Sequence, residues 1–302
     1  MNYIDITEED LSTKRQRPMY LSTFTQFRAG MNMRTYPHDP HDYCESVFLP
    51  TIDTWVKNHK KAMYLGLDKF PVHHVILGVT QQLDELHMLQ RNNISVFEGE
   101  YKYHDRLPTH VRKLRYKEDI MPGEHVIISA PSTITTNVIP NMEEVLDYCR
   151  AVDASVHIDG AWFAQCRNFC LDVSHPAIKS VSVSLSKAYG MGSQRIGIRY
   201  MREECPGPIQ IMNDYNYQCV SDCWLGVAAM KYYGVDYWWN NYEDKYEKVC
   251  EDFNLDPSDS IHIAWKGMNY VGIRTPLRML IEEKYDKRGT DRGLNDVERA
   301  EN

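Results

Sequence analysis

The chain has 302 residues, of which 43% are hydrophobic and 25% are charged, as in an ordinary soluble globular protein. Its formal net charge of −8 argues against nonspecific nucleic-acid binding, which requires clustered positive charge. No apolar run is long enough to cross a membrane, and the first residues, MNYIDITEEDLSTKRQ, are too acidic and polar for a signal peptide. We therefore expect a cytoplasmic protein whose partners are small molecules rather than nucleic acid or membrane.

The eight cysteines are even in number, which permits disulfides, but the chain is large and carries no export signal. No Cys-x-x-Cys pair is present, so reduced thiols that pack as small apolar side chains are favoured over a metal site. The sequence therefore predicts no metal centre.

The N-terminal region is irregular before the first strand. Residues 1–45 are polar and aromatic with several prolines, and they predict an irregular arm with room for a short helix. Residues 45–65 have helical spacing that is interrupted near Pro50. An arm and a broken helix are therefore expected ahead of the sheet.

A strand, a glycine turn and a helix follow one another at residues 75–90. VILG is a buried-strand run, and TQQLDELHMLQ has the composition of a good helix. Backbone N–H groups and the positive end of the helix dipole converge at such a turn and bind anions. The candidate ligands are the residues of the turn: Gly78, Val79, Thr80 and Gln81. An ordinary strand-to-helix turn without a ligand is the alternative.

Two further apolar runs, at residues 94–101 and 125–131, predict buried strands. The second of them leads through a Ser/Thr-rich loop into NMEEVLDYCRAV, which has an apolar stripe at helical spacing. Strands and helices therefore alternate along this part of the chain, as in an α/β protein.

The stretch from Val156 to Tyr200 contains two runs of strand length that end at charged residues. VHID ends on Asp159, and SVSVSLS is followed by Lys187, with helix-compatible sequence between them. Ligands of α/β sheets bind at the carboxyl ends of the strands, so both residues should face one crevice, with Arg195 on the next loop. A lysine amine can form a Schiff base with an aldehyde cofactor, and an aspartate can pair with a protonated pyridine nitrogen. An arginine with serine hydroxyls can hold a phosphate.

Two motifs in this stretch match a known family. An Asp-x-Ala-aromatic element corresponds to Asp159-Gly160-Ala161-Trp162. A Ser-x-Ser-Lys element, followed by glycine and arginine, corresponds to Ser184, Ser186, Lys187, Gly190 and Arg195. Because both occur in the right order and at the right separation, the chain resembles fold-type I pyridoxal 5′-phosphate (PLP) enzymes, most of all class I/II aminotransferases. The resemblance covers roughly residues 72–200.

The resemblance implies an aspartate aminotransferase-like α/β fold, with a mainly parallel sheet flanked by helices and a reduced small C-terminal domain. It implies PLP as cofactor and an aminotransferase acting on an amino acid/oxo acid pair through a Lys187 Schiff base, with ping-pong kinetics. Lys187 and Asp159 are then the catalytic residues. Fold-type I sites usually lie at a dimer interface, so a homodimer is expected by analogy.

The resemblance also assigns contacts around the cofactor: the glycine turn, serines and arginine at the phosphate, an aromatic ring on the pyridine face, and the residues that follow Asp159. These contacts are Gly78, Val79, Thr80, Gln81, Tyr101, Ala161, Trp162, Ser184, Ser186 and Arg195. Tyr103 is the alternative to Tyr101. His157 should share a face with Asp159 and could touch its carboxylate, although a packed core histidine is an equal alternative.

Two positions depart from the family pattern. Thr133 stands where the family's asparagine donates to the cofactor's phenolic oxygen, and Asn137 is the alternative donor. Trp162 stands where many aminotransferases have tyrosine, and an indole N–H can only donate. Arg274 is the candidate for binding the substrate carboxylate, with Arg278 as the alternative.

Other PLP chemistry remains open as an alternative. VHIDGA also resembles threonine aldolases, but these continue with arginine where Trp162 stands, and group II decarboxylases have histidine where Ser186 stands. An aldolase, lyase or decarboxylase, or a PLP-binding protein without turnover, is therefore the second interpretation.

The pattern changes after residue 204. Two helices are predicted, CWLGVAAMKYYG and VDYWWNNYEDKYEKVCEDF, and then a short strand, a turn, and a strand or helix start. The predicted division of the chain is an N-terminal arm (1–45), a PLP-binding large domain (46–204), a reduced small domain (205–281) and a charged, disordered tail (282–302).

Overall fold

The computed structural model describes residue 11 and residues 18–107, 110–132 and 135–282. The α-helices are α1 (Ser22–Ala29), α2 (Leu49–Asn58), α3 (Val79–Gln90), α4 (Met142–Ala151), α5 (Pro208–Asp214), α6 (Val220–Tyr233), α7 (Tyr237–Asp252) and α8 (Arg274–Ile281). The strands are β1 (Ala62–Leu65), β2 (Val72–Ile76), β3 (Ile94–Phe97), β4 (Val111–Leu114), β5 (His125–Ser129), β6 (Ser155–Asp159), β7 (Phe169–Asp172), β8 (Ile178–Ser184), β9 (Gly197–Met201), β10 (Asp256–Pro257), β11 (Ile263–Lys266) and β12 (Asn269–Gly272).

Seven strands form the central sheet, in the order β2-β9-β8-β6-β5-β3-β4. From β8 to β4 all neighbours pair in parallel, whereas β9 runs antiparallel to both β8 and β2. Parallel sheets need cover on both faces, and helices α2, α3 and α4 pack against this one. The predicted mainly parallel α/β sheet is therefore confirmed.

The sheet face beneath α3 carries polar side chains. The strand register places Ser129, Asp159, Ser182 and Arg199 side by side, so their side chains share one face. Arg199 forms a buried ion pair there with Glu85 of α3. A buried charge needs a partner, so polar contacts as well as apolar packing hold α3 on the sheet.

The predicted broken helix over residues 45–65 is correct only in its first part. A π-helical turn leads into α2, and Pro50 lies in the first turn of that helix. N–H groups in a first turn have no partner within the helix, so the missing N–H of Pro50 costs no hydrogen bond. Residues 62–65 instead form β1, which pairs in parallel with β7. The prediction was wrong here because a four-residue run has little periodicity and its partner strand lies far along the chain.

The connection from β6 to β8 contains no α-helix, although its sequence is compatible with one. A 3-10 turn at Phe163–Gln165 and strand β7 fill the stretch instead. In β7 the buried Phe169 and Leu171 alternate with the exposed Cys170 and Asp172, which is the period of a strand. Pairing with β1 therefore overrides the local helical compatibility.

The C-terminal elements follow the prediction. Helices α6 and α7 are present, and β10, β11 and β12 form a small antiparallel sheet ahead of α8. The indole N–H groups of Trp238 and Trp239 donate to the carbonyls of Ala188 and Gln165, at 2.8 and 3.1 Å. Helix α7 is thereby fixed to the segments that follow β8 and β6. The predicted tail, apart from Glu282, lies outside the described residues.

The described part of the N-terminal arm is partly helical and joins an aromatic cluster. Phe24 of α1 packs against the rings of Tyr189, Tyr233, Tyr237 and Trp238, with ring centroids 5.1–6.3 Å apart. Tyr189 comes two residues after Lys187, so this cluster connects the arm to the central segment.

Among the helices that the structure describes, none combines the length and the apolar character needed to span a bilayer. In the same residues no group of three or more His, Cys, Asp or Glu side chains is arranged to hold a metal ion. The eight cysteines are free thiols, with the sulfur atoms of Cys44 and Cys223 3.2 Å apart.

A buried carboxylate links the start of α7 to the end of α2. Asp236 accepts hydrogen bonds from His59 Nδ1 at 3.0 Å, from Lys60 N at 2.8 Å and from Lys61 N at 3.1 Å. Burial would raise the pKa of Asp236, but the His59 ring and the two backbone N–H groups outweigh burial and lower that pKa below 3.8. The ionised form is therefore the one that stabilises the fold.

We expect Asp236→Asn to lower the free energy of unfolding by about 2–3 kcal/mol at neutral pH, because an amide group replaces one acceptor with a donor that faces N–H groups. A lowered folded-state pKa gives stability that is present above the unfolded value and is lost as pH falls through the folded value. The difference from wild type should therefore shrink as pH falls below the unfolded value of 3.8. Denaturant unfolding at several pH values measures it.

The matched control is Asp252→Asn, which removes the exposed i, i+4 pair with Lys248 in α7. That change should cost less than about 0.5 kcal/mol. Equal losses in the two variants, or a loss at Asp236 that does not change with pH, would contradict the assignment.

Candidate active site

Asp159 and Lys187 follow neighbouring parallel strands at one edge of the sheet. Asp159 is the last residue of β6, and Lys187 comes three residues after β8 ends. The Asp159 side chain is buried, and its Oδ1 accepts a 2.8 Å hydrogen bond from the backbone N–H of Ala161. Lys187 Nζ lies 5.0 Å from the centre of the Trp162 ring, which is a cation–π distance.

A positively charged cradle lies at the N-terminus of α3. The Arg195 guanidinium donates to Thr80 Oγ1 at 2.5 Å and lies 3.4 Å from Ser186 Oγ. Gly78 precedes the helix with φ +73°, and a Cβ at Gly78 would come within 2.6 Å of the guanidinium. Only glycine combines that backbone conformation with so close an approach. The first N–H groups of α3 and Arg195 therefore face one space that favours an anion.

Three other predicted phosphate ligands have different surroundings. The Val79 side chain packs in an apolar cluster under α3, so only its backbone N–H could serve. Gln81 closes the turn, with its side-chain oxygen 2.6 Å from Leu77 N and its own N–H bonded to the Gly78 carbonyl. Ser184 ends β8 as a buried residue, two positions after Ser182 and hence on the same face as Asp159.

Tyr101, the candidate for the ring that covers the cofactor, lies in the segment after β3. It packs against the same apolar cluster as Ala161, and its ring stacks on Tyr103 with centroids 5.7 Å apart. The Tyr103 hydroxyl instead bonds Asp84 of α3, and burial together with that carboxylate raises the pKa of Tyr103 to about 12. Tyr101 and Tyr103 therefore both pack against the cluster that Ala161 also contacts.

Two buried residues near Asp159 were not found from the sequence. Glu100 accepts hydrogen bonds from Ser129 N and Oγ at 2.9 and 2.6 Å. Burial raises the pKa of Glu100, and nearby Asp159 raises it further, although the Ser129 bonds act in the opposite direction. Tyr64 of β1 bonds the Ala130 carbonyl, and burial followed by Asp159 raises its pKa well above 10. A carboxylate just past β3 was a usable signal for Glu100, but Tyr64 had none because β1 was not recognised.

Of the two candidates for the family's asparagine, only Asn137 has a described position. Thr133 lies outside the residues that the structure describes. The Asn137 side-chain amide donates to Asp259 Oδ2 at 2.7 Å and to the Asn168 carbonyl at 3.1 Å. Asn137 therefore joins the β5–α4 loop to the segment ahead of β11.

His157 is a core histidine rather than a partner of Asp159. Its two ring nitrogens lie 3.0 Å from His125 Nδ1 and 2.8 Å from Ser180 Oγ, so both are used. Burial lowers the pKa of His157 to about 3, and the neighbouring His125 adds to the shift. The ring is therefore neutral at physiological pH.

Arg274 is the first residue of α8, and the N-terminal segment lies beside it. Its guanidinium is 3.4 Å from the Pro18 carbonyl. The next residues of that segment approach the loop after Lys187: a Cβ at Gly190 would lie 2.9 Å from the Met19 carbonyl. Arg278 lies one turn farther along α8. The structure thus puts Arg274, the N-terminal segment and the Lys187 loop in one region.

The sequence matches no family model and no curated protein. The structure is similar to solved aminotransferases and a C–S lyase at low identity. Aspartate aminotransferase from Rhizobium meliloti aligns with TM-score 0.58 and 13% identity, over 83% of this chain and 73% of that one. Aromatic aminotransferase from Pyrococcus horikoshii gives 0.57 and 12%, over 90% and 95%. The PLP-bound C–S lyase from Staphylococcus hominis gives 0.56 and 12%, over 95% and 83%. These likenesses establish an aspartate aminotransferase-like, fold-type I α/β fold.

We expect Gly78→Ala to weaken the affinity for PLP by about 10–100-fold, because the new methyl group displaces Arg195 and a charged hydrogen bond is worth about 1.5–3 kcal/mol. Binding of pyridoxal, which lacks the phosphate, should change little. Absorbance titration with the two compounds measures both affinities.

Gly123→Ala is the matched control, because Gly123 has φ +72° and nothing lies within 4 Å of an added Cβ. Both variants lose stability from the positive φ, but Gly123→Ala should bind PLP as wild type does. Equal affinities in the two variants would exclude the cradle as the phosphate site.

Proposed function

We propose that this protein is a PLP-dependent aminotransferase that acts on an amino acid/oxo acid pair. The observation that carries the proposal is the arrangement at one edge of the sheet. Asp159 and Lys187 follow adjacent parallel strands, and the Arg195–Thr80–Ser186 cradle lies at the N-terminus of α3. The aminotransferases of the same fold support the proposal.

The residues present fit PLP. The cradle offers N–H groups, hydroxyls and a guanidinium to a phosphate, and Gly78 leaves the space that a Cβ would fill. Asp159 is a buried carboxylate that would hold a protonated pyridine nitrogen. Tyr101 would cover the ring face, and Ala161 and Trp162 would line the other side. Lys187 would bind the aldehyde carbon covalently.

Bound PLP would supply an aldehyde and a ring that withdraws electrons from the substrate Cα. The chain's own residues would do the rest. After the substrate amine has displaced it from the aldehyde carbon, the free Lys187 amine would accept the proton from the substrate Cα and act as the acid that returns it. Arg274 would bind the substrate carboxylate through two parallel hydrogen bonds, a geometry that suits guanidinium. Asp159 would keep the pyridine nitrogen protonated.

A lyase is the second candidate, and one observation favours it. The PLP-bound C–S lyase aligns over 95% of this chain with a TM-score close to those of the aminotransferases. Proton removal from Cα by Lys187 would begin either reaction, so the same geometry serves both. Trp162 in place of the family's tyrosine also leaves PLP binding without turnover as an alternative.

We also propose a homodimer in the cytoplasm, with a large domain over residues 46–204 and a small one over residues 205–281. Apolar side chains on and after α5 support self-association: Ile211, Tyr215 and Tyr217 are 53%, 65% and 69% exposed. Free thiols at all eight cysteines fit a reducing compartment. Sedimentation of the purified protein tests the dimer.

The purified protein should show a visible absorption band with PLP that borohydride removes, and mass spectrometry should then locate a pyridoxyl group on Lys187. Lys187→Ala should lose the band. Lys179→Ala, a change at an exposed lysine of β8, should keep it. A colourless wild type that takes up no added PLP would refute the proposed function.

Amino-donor screening separates the candidates. An aminotransferase should convert bound PLP to its aminated form with a suitable amino acid, release the oxo acid, and show parallel double-reciprocal plots with a second oxo acid. A lyase should release pyruvate, ammonia and a thiol from β-thio amino acids without aminating the cofactor. A PLP-binding protein without turnover would retain an unchanged spectrum with every donor.

A further inference from the structure

We propose that His262 is a positioning residue for the proposed active site: through Gln165 it fixes the main chain at Lys187, and through its ring it supports Trp162. The inference rests on the proposed function and adds to it a small-domain residue that no motif identified. Neither His262 nor Gln165 needs to touch reacting atoms for this role.

The side chains of Gln165 and His262 and the main-chain carbonyl of Lys187 form one hydrogen-bonded network. Gln165 ends the 3-10 turn after β6, and His262 precedes β11; both side chains are fully buried, at 0% exposure. Gln165 Nε2 lies 2.8 Å from the Lys187 carbonyl oxygen and 3.1 Å from His262 Nε2. One amide nitrogen therefore joins the small-domain histidine to the backbone of the lysine.

The Lys187 carbonyl determines which groups of Gln165 and His262 donate and which accept. A carbonyl oxygen can only accept, so the Gln165 side chain must turn its NH2 group toward Lys187. The second amide proton then meets His262 Nε2, which must accept, and the ring proton is left on Nδ1. Burial, with Arg274 and Lys187 nearby, lowers the pKa of His262 well below 6.5, so the ring is neutral and can accept.

The arrangement costs stability, which argues for a role. Neither His262 Nδ1 nor Gln165 Oε1 has a hydrogen-bond partner among the described residues. A buried polar atom without a partner costs about 1–3 kcal/mol, which offsets much of what the two hydrogen bonds of the pair contribute. The polar pair therefore needs a reason beyond stability, and contact with the Lys187 carbonyl provides one.

The same ring supports the aromatic side chain next to the lysine amine. The His262 and Trp162 rings meet edge to face, with centroids 6.1 Å apart at 82°, and Trp238 packs on the other side at 5.5 Å. Trp162 is the ring that Lys187 Nζ faces. His262 therefore affects Lys187 in two ways: it holds the main-chain carbonyl through Gln165, and it holds the ring that the amine faces, Trp162.

His262 is also bonded to the segment that presents Arg274. Its carbonyl accepts a 2.9 Å hydrogen bond from Ile273 N, the residue directly before Arg274. The proposed base and the proposed carboxylate ligand are therefore held through one residue. Shifts of about 1 Å in a reacting group can cost 10²-fold in rate, and substitution of the His262 side chain leaves this main-chain bond to the Arg274 segment in place, so it should lower kcat more than it raises KM.

The test compares His262→Phe with His262→Gln. Phenylalanine keeps a ring against Trp162 and Trp238 but removes the acceptor for Gln165, whereas glutamine can offer its side-chain oxygen there. We expect His262→Phe to lower kcat by about 10–100-fold and His262→Gln to recover most of that loss. Equal loss in both variants would overturn the inference.

A readout without cofactor or turnover accompanies the kinetics. The rate at which an acylating reagent labels Lys187 in the apoprotein, followed by mass spectrometry, should change in His262→Phe and return toward wild type in His262→Gln. Gln165→Leu should change it as His262→Phe does. The double variant His262→Phe/Gln165→Leu should show no further change, because His262 acts on the Lys187 main chain through Gln165. Additive effects would overturn the inference.

Glu124→Gln controls for general loss of stability, because Glu124 is also buried but pairs with Arg112 of β4, the edge strand four positions from β8 in the sheet order. It should lower the melting temperature and leave the labelling rate and kcat unchanged. If wild type fails to take up PLP, the proposed function is wrong, whereas the labelling rates still decide the role of His262. If wild type turns over and His262→Phe matches it, only the inference is wrong.

Discussion

The parallel pairing of β6 with β8 is the constraint on which the rest of the site depends. Parallel neighbours direct their carboxyl ends to the same edge, so the residues that follow them meet there whatever the connection between them does. This is why Asp159 and Lys187 come together although a 3-10 turn and β7, rather than a helix, join the two strands. The antiparallel β9 then returns the chain so that Arg195, two residues before it, reaches Thr80 at the start of α3.

Helix α3 rests on a sheet face that is unusually polar for an α/β protein. Gln82 bonds Ser180 at 2.6 Å and also contacts Ser182, and Glu85 neutralises Arg199. Apolar packing alone would let a helix slide by a turn at small cost, whereas paired buried groups lose most of their energy when displaced. The polar contacts therefore define where the N-terminus of α3 stands, and with it the anion cradle.

The C-terminal elements hold the segments that carry the chemistry. The indoles of Trp238 and Trp239 donate to the carbonyls of Ala188 and Gln165, which follow the lysine and aspartate motifs. Main-chain carbonyls beyond the end of a strand have no neighbouring strand to donate to them. When they are buried, they need a side-chain donor such as these indoles. The C-terminal elements therefore supply hydrogen bonds that order the segments after β6 and β8.

The sequence by itself determined strands β2, β3, β5, β6 and β8, the helices α3, α4, α6 and α7, and the motif that contains Lys187, because these depend on local periodicity and on residue types with few other uses. Strand β4 of the central sheet was not predicted. Only the tertiary structure decided the rest. Strand β1 was not predictable, since four residues become a strand only when β7 lies beside them. The role of His157 depended on His125 and Ser180, which lie on other strands. Glu100, Gln165 and His262 are polar residues with no motif, and long-range folding alone places them against Ser129 and Lys187.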